Sequence, residues 1–85
     1  MYSITYNKQS TRILTKLPRN LVLRIRGKLD QIASDPYGQH SNVIKLQNRP
    51  GYRLRVGDWR VIYDIYDGEL IILVLKIGPR GQVYR

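Results

Sequence analysis

The sequence contains no cysteine and only one histidine, His40. Without cysteine, disulfide bonds and thiolate metal sites are excluded, and the chain suits a reducing cytoplasm. The six acidic residues are scattered over predicted turns, one helix and one strand, so no cluster of metal ligands is expected. We therefore expect no metal, no other cofactor and no catalytic role for His40, which lies in a polar loop.

Long apolar runs are also missing. The longest, at residues 70–75, is far too short to cross a bilayer. Residues 1–10 lack the apolar region of a secretory signal. We expect a soluble, cytoplasmic protein without a membrane partner. A length of 85 residues suits one domain, so residues 1–85 are predicted to form a single domain.

Acidic residues are scarce relative to basic ones. Lysine and arginine total 15 against 6 acidic residues, which gives a net charge of +9. Such an excess points to a polyanionic partner such as nucleic acid, and an acidic protein partner is compatible with it. Most of the cations are arginines, whose planar guanidinium group donates two parallel hydrogen bonds to a phosphate.

The first half of the chain predicts one strand and two helices. Residues 2–6 combine β-branched and aromatic side chains, which is typical of a strand. Residues 10–17 have apolar residues at helical spacing, and a longer apolar stripe runs from Leu21 to Ala33. Pro18 disfavours helix at the residue before it but suits the first turn of a new helix. The two helices share one apolar face, which needs a sheet to cover.

The second half of the chain predicts strands and tight turns. Residues 43–46 form a short strand, and two hairpins follow, with Gly-Asp and Asp-Gly turns at residues 57–58 and 67–68. Residues 69–77 are apolar on both faces and should form a central strand. The predicted class is α+β, with an N-terminal strand, a two-helix hairpin and an antiparallel sheet of three to four strands.

Three arginines lie within the first hairpin, whose strands are otherwise apolar. Because a two-residue turn fixes the register, Arg55 faces Arg60, and alternation puts Arg53 on the same face. The opposite face can receive the helices and consists of Leu54, Val56, Trp59, Val61 and Tyr63. Directly opposed like charges destabilise a sheet by about 0.2–1 kcal/mol per pair. This locally unfavourable pair indicates function, since a bound phosphate would turn the repulsion into a bidentate site.

The second hairpin predicts a less consistent register. A two-residue turn at residues 67–68 places Arg60 opposite Leu75 and Trp59 opposite Lys76. Lys76 then falls on the apolar side of the sheet, which is a misfit. Either Lys76 lies at the open end of the sheet and reaches water along its stem, or a bulge shifts the register.

In this register the last strand ends beside Arg60, and Arg80 and Tyr84 follow within a few residues. Both can fold back over the arginines, and Lys45 on the short preceding strand can join them. The predicted site consists of Lys45, Arg53, Arg55, Arg60, Arg80 and Tyr84.

These residues suit a reaction that needs no metal. In RNA, the 2′-OH attacks the adjacent phosphate through a phosphorane with excess negative charge, which arginines stabilise. Tyr84 is a candidate to accept the 2′ proton, and Arg80 either donates to the 5′ leaving oxygen or only stabilises its charge. The products are a 2′,3′-cyclic phosphate and a 5′-OH. Such an enzyme is weak alone and needs a partner that positions the RNA.

Two segments carry a family resemblance, "KLQNRPGYRLRVGDWRVIYDI" at residues 45–65 and "ILVLKIGPRGQVY" at residues 72–84. With the helical hairpin, they resemble the RelE/ParE superfamily of bacterial toxin–antitoxin toxins, on the RelE side. The resemblance implies a ribosome-dependent endoribonuclease that cleaves mRNA in the A site and inhibits translation. It also implies a cognate antitoxin, and repression of the operon by the toxin–antitoxin complex, so that operator DNA is bound only through that complex.

The resemblance also implies roles by position. Arg53 and Arg55 match two basic residues, usually lysines, and Arg60 matches a phosphate-binding arginine. Arg80 matches the arginine that stabilises the leaving group, and Tyr84 matches a near-terminal tyrosine. Arginine at positions 53 and 55 keeps the charge but removes a group that can become a neutral base.

Two other functions stay open. A non-enzymatic inhibitor of DNA gyrase, as in the ParE branch, would share the fold and would not need the arginines and the tyrosine. The arginine-rich hairpin and the "GPRGQVY" ending favour cleavage. A plain RNA-binding module is less favoured, because the paired stacking aromatics of common RNA modules are missing.

Overall fold

The computed structural model describes residues 1–81. The described elements, in chain order, are β1 (Ser3–Tyr6), α1 (Lys8–Lys16), α2 (Arg19–Ser34), β2 (Val43–Lys45), β3 (Tyr52–Val56), β4 (Trp59–Tyr66) and β5 (Ile71–Pro79). The strands form one sheet in the order β1-β5-β4-β3-β2. This confirms the α+β class with its helical hairpin. The sheet has five strands because β1 joins it, in parallel with β5, while the other neighbours are antiparallel.

Helix α1 begins at Lys8, two residues before the predicted start, because Asn7 caps it. The side-chain oxygen of Asn7 accepts a hydrogen bond from the N–H of Ser10 at 2.9 Å. Its Nδ2 donates to the carbonyl of Leu75 on β5 at 2.6 Å. Gln9 adds two hydrogen bonds to the backbone of Ile77, at 3.0 and 3.1 Å. Asn7 therefore both caps the helix and anchors it to β5.

The break at Pro18 is confirmed. Leu17 has extended backbone angles, and α2 starts directly after the proline. The carbonyl of Pro18 accepts from the N–H groups of Leu21 and Val22, each at 3.1 Å, and so satisfies two donors of the first turn. The helix buries Ile25, Leu29, Ile32 and Ala33. These side chains pack on the sheet in the main core. Burial of each large apolar side chain stabilises the fold by about 1.5–3 kcal/mol.

The two faces of the sheet are covered unequally. The face towards the helices carries the main core, whose sheet residues are Leu54, Val56, Val61, Tyr63, Ile72, Val74 and Ile77. The other face carries a small cluster in which Leu46 and Ile62 are buried and Leu75 packs on them. The arginines of the first hairpin lie on this second face, beside a patch of apolar side chains.

The predicted turn between β4 and β5 is wrong. The strands are joined by residues 67–70, with Tyr66 paired to Ile71, instead of by a two-residue Asp-Gly turn. The N–H of Leu70 donates to the carbonyl of Asp67 at 3.3 Å, and Leu70 adopts a positive φ of 54°. An apolar run of this kind has no alternation that would specify its register, so the turn dipeptide alone misleads.

A β-bulge changes the pairing farther along the same two strands. Tyr63 pairs with Val74, whereas the preceding residue, Ile62, pairs with Lys76. Leu75 is therefore the extra residue, and the predicted pairing of Arg60 with Leu75 is wrong. The bulge is one of the two explanations that the sequence left open for Lys76.

Within residues 1–81, no helix is both long enough and apolar enough to cross a membrane.

Candidate active site

The arginine face, formed by Arg53, Arg55 and Arg60, lies on the side of the sheet away from the helices. Arg55 pairs directly with Arg60, and Arg53 pairs with Ile62. Directly opposed residues share a face, so the three cations lie together as the sequence predicted. Arg55 is exposed, whereas Arg53 and Arg60 are half-buried. The first hairpin thus has the predicted register and the predicted concentration of charge.

The turn of the first hairpin holds Arg60. Nη1 of Arg60 donates to the carbonyls of Gly57 and Trp59, each at 3.1 Å. Gly57 has a positive φ of 59°, as expected at the first central position of a type II′ turn. The glycine therefore shapes the turn whose carbonyl helps to orient the guanidinium group of Arg60.

Arg55 is held by the loop that precedes β2. Its Nη2 donates to Oδ1 of Asn42 at 3.0 Å, and its backbone N–H donates to the carbonyl of Asn42 at 2.9 Å. Asn42 has a φ of 66°, which asparagine tolerates better than most residues. The guanidinium groups of Arg55 and Arg60 are thus bound to different acceptors, which explains how the hairpin accommodates directly opposed cations.

Arg80 reaches the same end of the sheet. The N–H of Arg80 donates to the carbonyl of Asp58 at 2.8 Å, so Arg80 is tied to the turn between Arg55 and Arg60. Its neighbour Pro79 pairs with Trp59. The sequence predicted this proximity from a register that is wrong by several residues. Although the turn is longer than predicted and a bulge is present, β5 still ends beside the first hairpin.

Arg24 is a further cation at this turn, and it comes from α2. Its Nη2 lies 3.9 Å from the position that a Cβ on Gly57 would occupy. The sequence places Arg24 only on the polar side of a helix. Its approach to the turn depends on how α2 packs on the sheet, and no local pattern predicts that.

Lys76 also lies on the arginine face, contrary to the predicted register. Because Lys76 pairs with Ile62, it shares that residue's face, and Gly78 in turn pairs with Arg60. Lys76 is half-buried. The misfit in the predicted register was the one signal in the sequence that pointed to this placement.

Lys45 does not join the arginine face. In the pairing of β2 with β3, Lys45 lies opposite Tyr52, and Ile44 is the residue opposite Arg53. Tyr52 stacks on the buried Tyr63 with ring centroids 5.4 Å apart, so this side of the sheet is the one that the helices cover. The sequence located β2 correctly but did not specify its register, and a shift of one residue moves a side chain to the other face.

Lys45 instead lines an open groove of about 570 Å³ beside the loop at residues 38–41. His40 belongs to this loop, and its Nε2 lies 2.6 Å from the carbonyl of Asp35. Tyr84, the remaining predicted site residue, lies outside the described residues. In the described part of the chain, no group of three or more His, Cys, Asp or Glu side chains could hold a metal ion.

Comparison with solved structures identifies the class of fold. The structure matches RelE in the archaeal RelE–RelB complex of Pyrococcus horikoshii OT3 with a TM-score of 0.80 and 32% identity, covering 96% of this chain and 98% of that one. It matches the intact Escherichia coli RelBE complex with a TM-score of 0.81 and 19% identity, over 96% and 100% of the two chains. It matches the RelBE2 complex of Mycobacterium tuberculosis with a TM-score of 0.75 and 20% identity, covering 93% of this chain and 98% of that one. The fold is therefore that of a RelE-like toxin.

The family follows from the sequence. Residues 4–84 match the profile of the ParE toxin of type II toxin–antitoxin systems, parDE. A search of curated proteins finds no significant match. The chain belongs to this toxin family, within the RelE/ParE superfamily, and is a toxin of a type II toxin–antitoxin system. This confirms the resemblance described above.

Proposed function

We propose that this toxin is a ribosome-dependent endoribonuclease that cleaves mRNA in the A site and needs no metal of its own. The observation that supports it most strongly is the direct pairing of Arg55 with Arg60, with Arg80 tied to the turn between them. Three guanidinium-bearing residues from two separate segments thus meet at one end of the sheet. Such a concentration of positive charge would stabilise a transient phosphorane dianion, which supports the proposal.

In the proposed reaction, the 2′ oxygen forms a bond to phosphorus while the bond from phosphorus to the 5′ oxygen breaks. Arg55 and Arg60 stabilise the charge on the phosphorane oxygens, and Arg53 binds the RNA backbone. Arg80 stabilises the 5′ oxygen as it leaves. A proton passes from the 2′-OH to an acceptor in the site, for which the sequence offered Tyr84, and the 5′ oxygen takes up another. The products are a 2′,3′-cyclic phosphate and a 5′-OH.

The proposed partners are a cognate antitoxin and the ribosome. RelE of Pyrococcus horikoshii OT3, 32% identical, is in a complex with RelB, which supports an antitoxin for this chain too. An acidic amphipathic segment would be attracted to a chain with a charge of +9 and would mask the arginine face. The toxin would act in the cytoplasm as a single domain of residues 1–85 and would contact operator DNA only through the antitoxin complex.

The test is to map mRNA 5′ ends after brief induction of the toxin without its antitoxin. Cuts at fixed positions within codons, with 5′-OH ends, are expected for the wild-type chain. Arg60→Ala should leave mRNA intact, whereas Arg12→Ala, a change at an exposed arginine on α1, should cut as wild type does. Growth arrest with intact mRNA would rule the ribonuclease out.

A second candidate is a non-enzymatic gyrase inhibitor, and the match to the ParE profile favours it. That function would not require Arg60 or Arg80. DNA damage after induction, in the wild type and in Arg60→Ala alike, is the result that this candidate predicts. The same induction experiment therefore separates the two functions.

A further inference from the structure

The bulge between β4 and β5 gives the arginine face a lysine. Before the bulge, Ile72 and Val74 face the helix-covered core, and unbroken alternation would send Lys76 there as well. Because Leu75 is inserted, Lys76 instead pairs with Ile62 and lies on the arginine face. Bulges commonly redirect a side chain next to an active site.

The position of Lys76 within this face is central. Ile62 is fully buried and is flanked by Arg53 on β3 and by Lys76 on β5. Arg60 is two residues from Ile62 on β4, so Lys76 is its diagonal neighbour. Diagonal neighbours in a sheet lie about 7–8 Å apart, which lets a lysine and an arginine reach one phosphodiester. Leu75 packs against Leu46 and Ile62 and thereby holds the bulge in place.

Lysine adds a chemical property that the other cations of this face lack. A guanidinium group keeps its proton in proteins, whereas the ammonium group of a lysine can lose one and act as a base. Among residues 1–81, the other lysine of the sheet, Lys45, lies on the opposite face. The other cations that pair onto this face, Arg53, Arg55 and Arg60, are arginines, so its described part has no other amine.

We propose that Lys76 is the proton acceptor of the cleavage reaction; this assignment rests on the proposed function. The lone pair of the neutral Nζ takes the proton of the 2′-OH as the 2′ oxygen bonds to phosphorus. The electron pair of the broken bond stays on the 5′ oxygen, which takes a proton from water. Lys76 then returns its proton to the resulting hydroxide, so the step needs no further reactant.

The first test compares Lys76→Arg and Lys76→Met in single-turnover cleavage on programmed ribosomes. Arg keeps the charge and Met keeps an unbranched stem, so both should fold, as unchanged thermal unfolding would show. Loss of a general base should lower the rate at saturating ribosomes about 10²–10⁴-fold and leave the affinity for ribosomes little changed. The wild-type rate should rise with pH, and this rise should vanish in Lys76→Arg. Lys16→Arg, an exposed change on α1, is the matched control.

The absence of cysteine from the chain allows a sharper test. Lys76→Cys creates a single thiol, which bromoethylamine converts into a close analogue of lysine before the toxin meets the ribosome. This treatment should restore most of the lost activity. Alkylation with (2-bromoethyl)trimethylammonium, which adds a permanent charge without a basic amine, should restore none.

The outcomes are distinct. A wild-type rate and pH profile in Lys76→Arg, or equal rescue by both alkylating reagents, overturns the assignment of Lys76 and leaves the ribonuclease intact. Loss of the pH-dependent rise in Tyr84→Phe but not in Lys76→Arg likewise overturns it in favour of Tyr84. If the wild-type toxin does not cut ribosome-bound mRNA at all, the proposed function and the role of Lys76 both fail.

Discussion

Arg55 and Arg60 lie directly opposite each other across the hairpin of β3 and β4, and each guanidinium group is bound to a different part of the chain. Arg55 donates to Asn42, which precedes β2, and Arg60 donates to the carbonyls of Gly57 and Trp59. Repulsion between opposed like charges costs about 0.2–1 kcal/mol, and these hydrogen bonds offset it. Hydrogen bonds within the chain thus hold the two opposed guanidinium groups.

This arrangement predicts that anions stabilise the toxin through Arg60. Inorganic phosphate at ten times its Kd should add about 1.4 kcal/mol, which raises the Tm of a domain of this size by several degrees. Arg60→Ala should lose most of this rise, and Arg12→Ala should keep it. The measurement is thermal unfolding at constant ionic strength. Equal phosphate shifts in all three proteins would mean that Arg60 binds no anion.

Two glycines should respond to alanine in opposite directions. At Gly27, an exposed position on α2, nothing lies within 4 Å of an added Cβ, so Gly27→Ala should stabilise the toxin by about 0.8–1 kcal/mol. At Gly51, φ is 107° and the added Cβ would lie 2.8 Å from the carbonyl oxygen of Tyr63. Gly51→Ala should therefore destabilise the toxin by about 1–3 kcal/mol. Urea unfolding measures both, and shifts of the same sign would contradict the backbone described for Gly51.

Asn7 should contribute both a helix cap and an anchor to β5. Asn7→Ala removes the acceptor for Ser10 and the donor to Leu75, so we expect a loss of about 2 kcal/mol in the free energy of unfolding. Asn7→Asp keeps the cap and loses only the donor, which should cost less. Asn20→Ala, an exposed change in the first turn of α2, serves as the control. Equal losses in the two Asn7 variants would show that the cap contributes nothing.

Asp67 joins the far end of the sheet to two tyrosines. Its carboxylate accepts hydrogen bonds from the hydroxyls of Tyr2 and Tyr37, each at 2.7 Å. The bonds from Tyr37 and Tyr2 hold the pKa of Asp67 below its ordinary value of 3.8. The bond to Asp67 raises the pKa of Tyr37 from 10.0 to about 12. The contact is therefore strongest when the carboxyl is ionised and the phenols are neutral.

These shifts predict a pH window for the stabilising effect of Asp67. The lowered pKa of Asp67 stabilises the fold above pH 3.8, and this contribution is lost as the pH falls through the folded-state value. The raised pKa of Tyr37 stabilises the fold below pH 10.0, and this is lost as the pH rises towards about 12. The stability difference between wild type and Asp67→Asn should be constant inside the window and shrink on both sides. A difference that does not change with pH in urea unfolding would refute the contact; Tyr66→Phe is the control.

The sequence predicts the first hairpin well because two independent signals agree there. The Gly-Asp turn and the alternation of apolar and basic residues specify the same register, so Arg53, Arg55 and Arg60 are placed correctly. The next strand pair has no alternation, and the bulge at Leu75 depends on packing with Ile62 and Leu46 across the sheet. The sequence therefore shows Lys76 only as a misfit, and the bulge that resolves it is visible only in the structure.

Other parts of the site depend on tertiary packing. The predicted placement of Lys45 is wrong because a strand of three residues does not specify its own register. Arg24 on α2 approaches Gly57 on the first hairpin, and these residues are 33 positions apart in the sequence. Asn7 did have a local signal, since asparagine before an apolar helical pattern is typical of an N-cap, and it explains the earlier start of α1.

The most direct test of the account is single-turnover cleavage of ribosome-bound mRNA by Arg60→Ala and Arg80→Ala. In the proposed mechanism each arginine stabilises charge that develops in the transition state, so each variant should be slower by about 10²–10³-fold while unfolding at nearly the wild-type temperature. Arg12→Ala and Arg19→Ala, at exposed helix positions, should cut at the wild-type rate. Full cleavage by either Arg60→Ala or Arg80→Ala would contradict the proposed site.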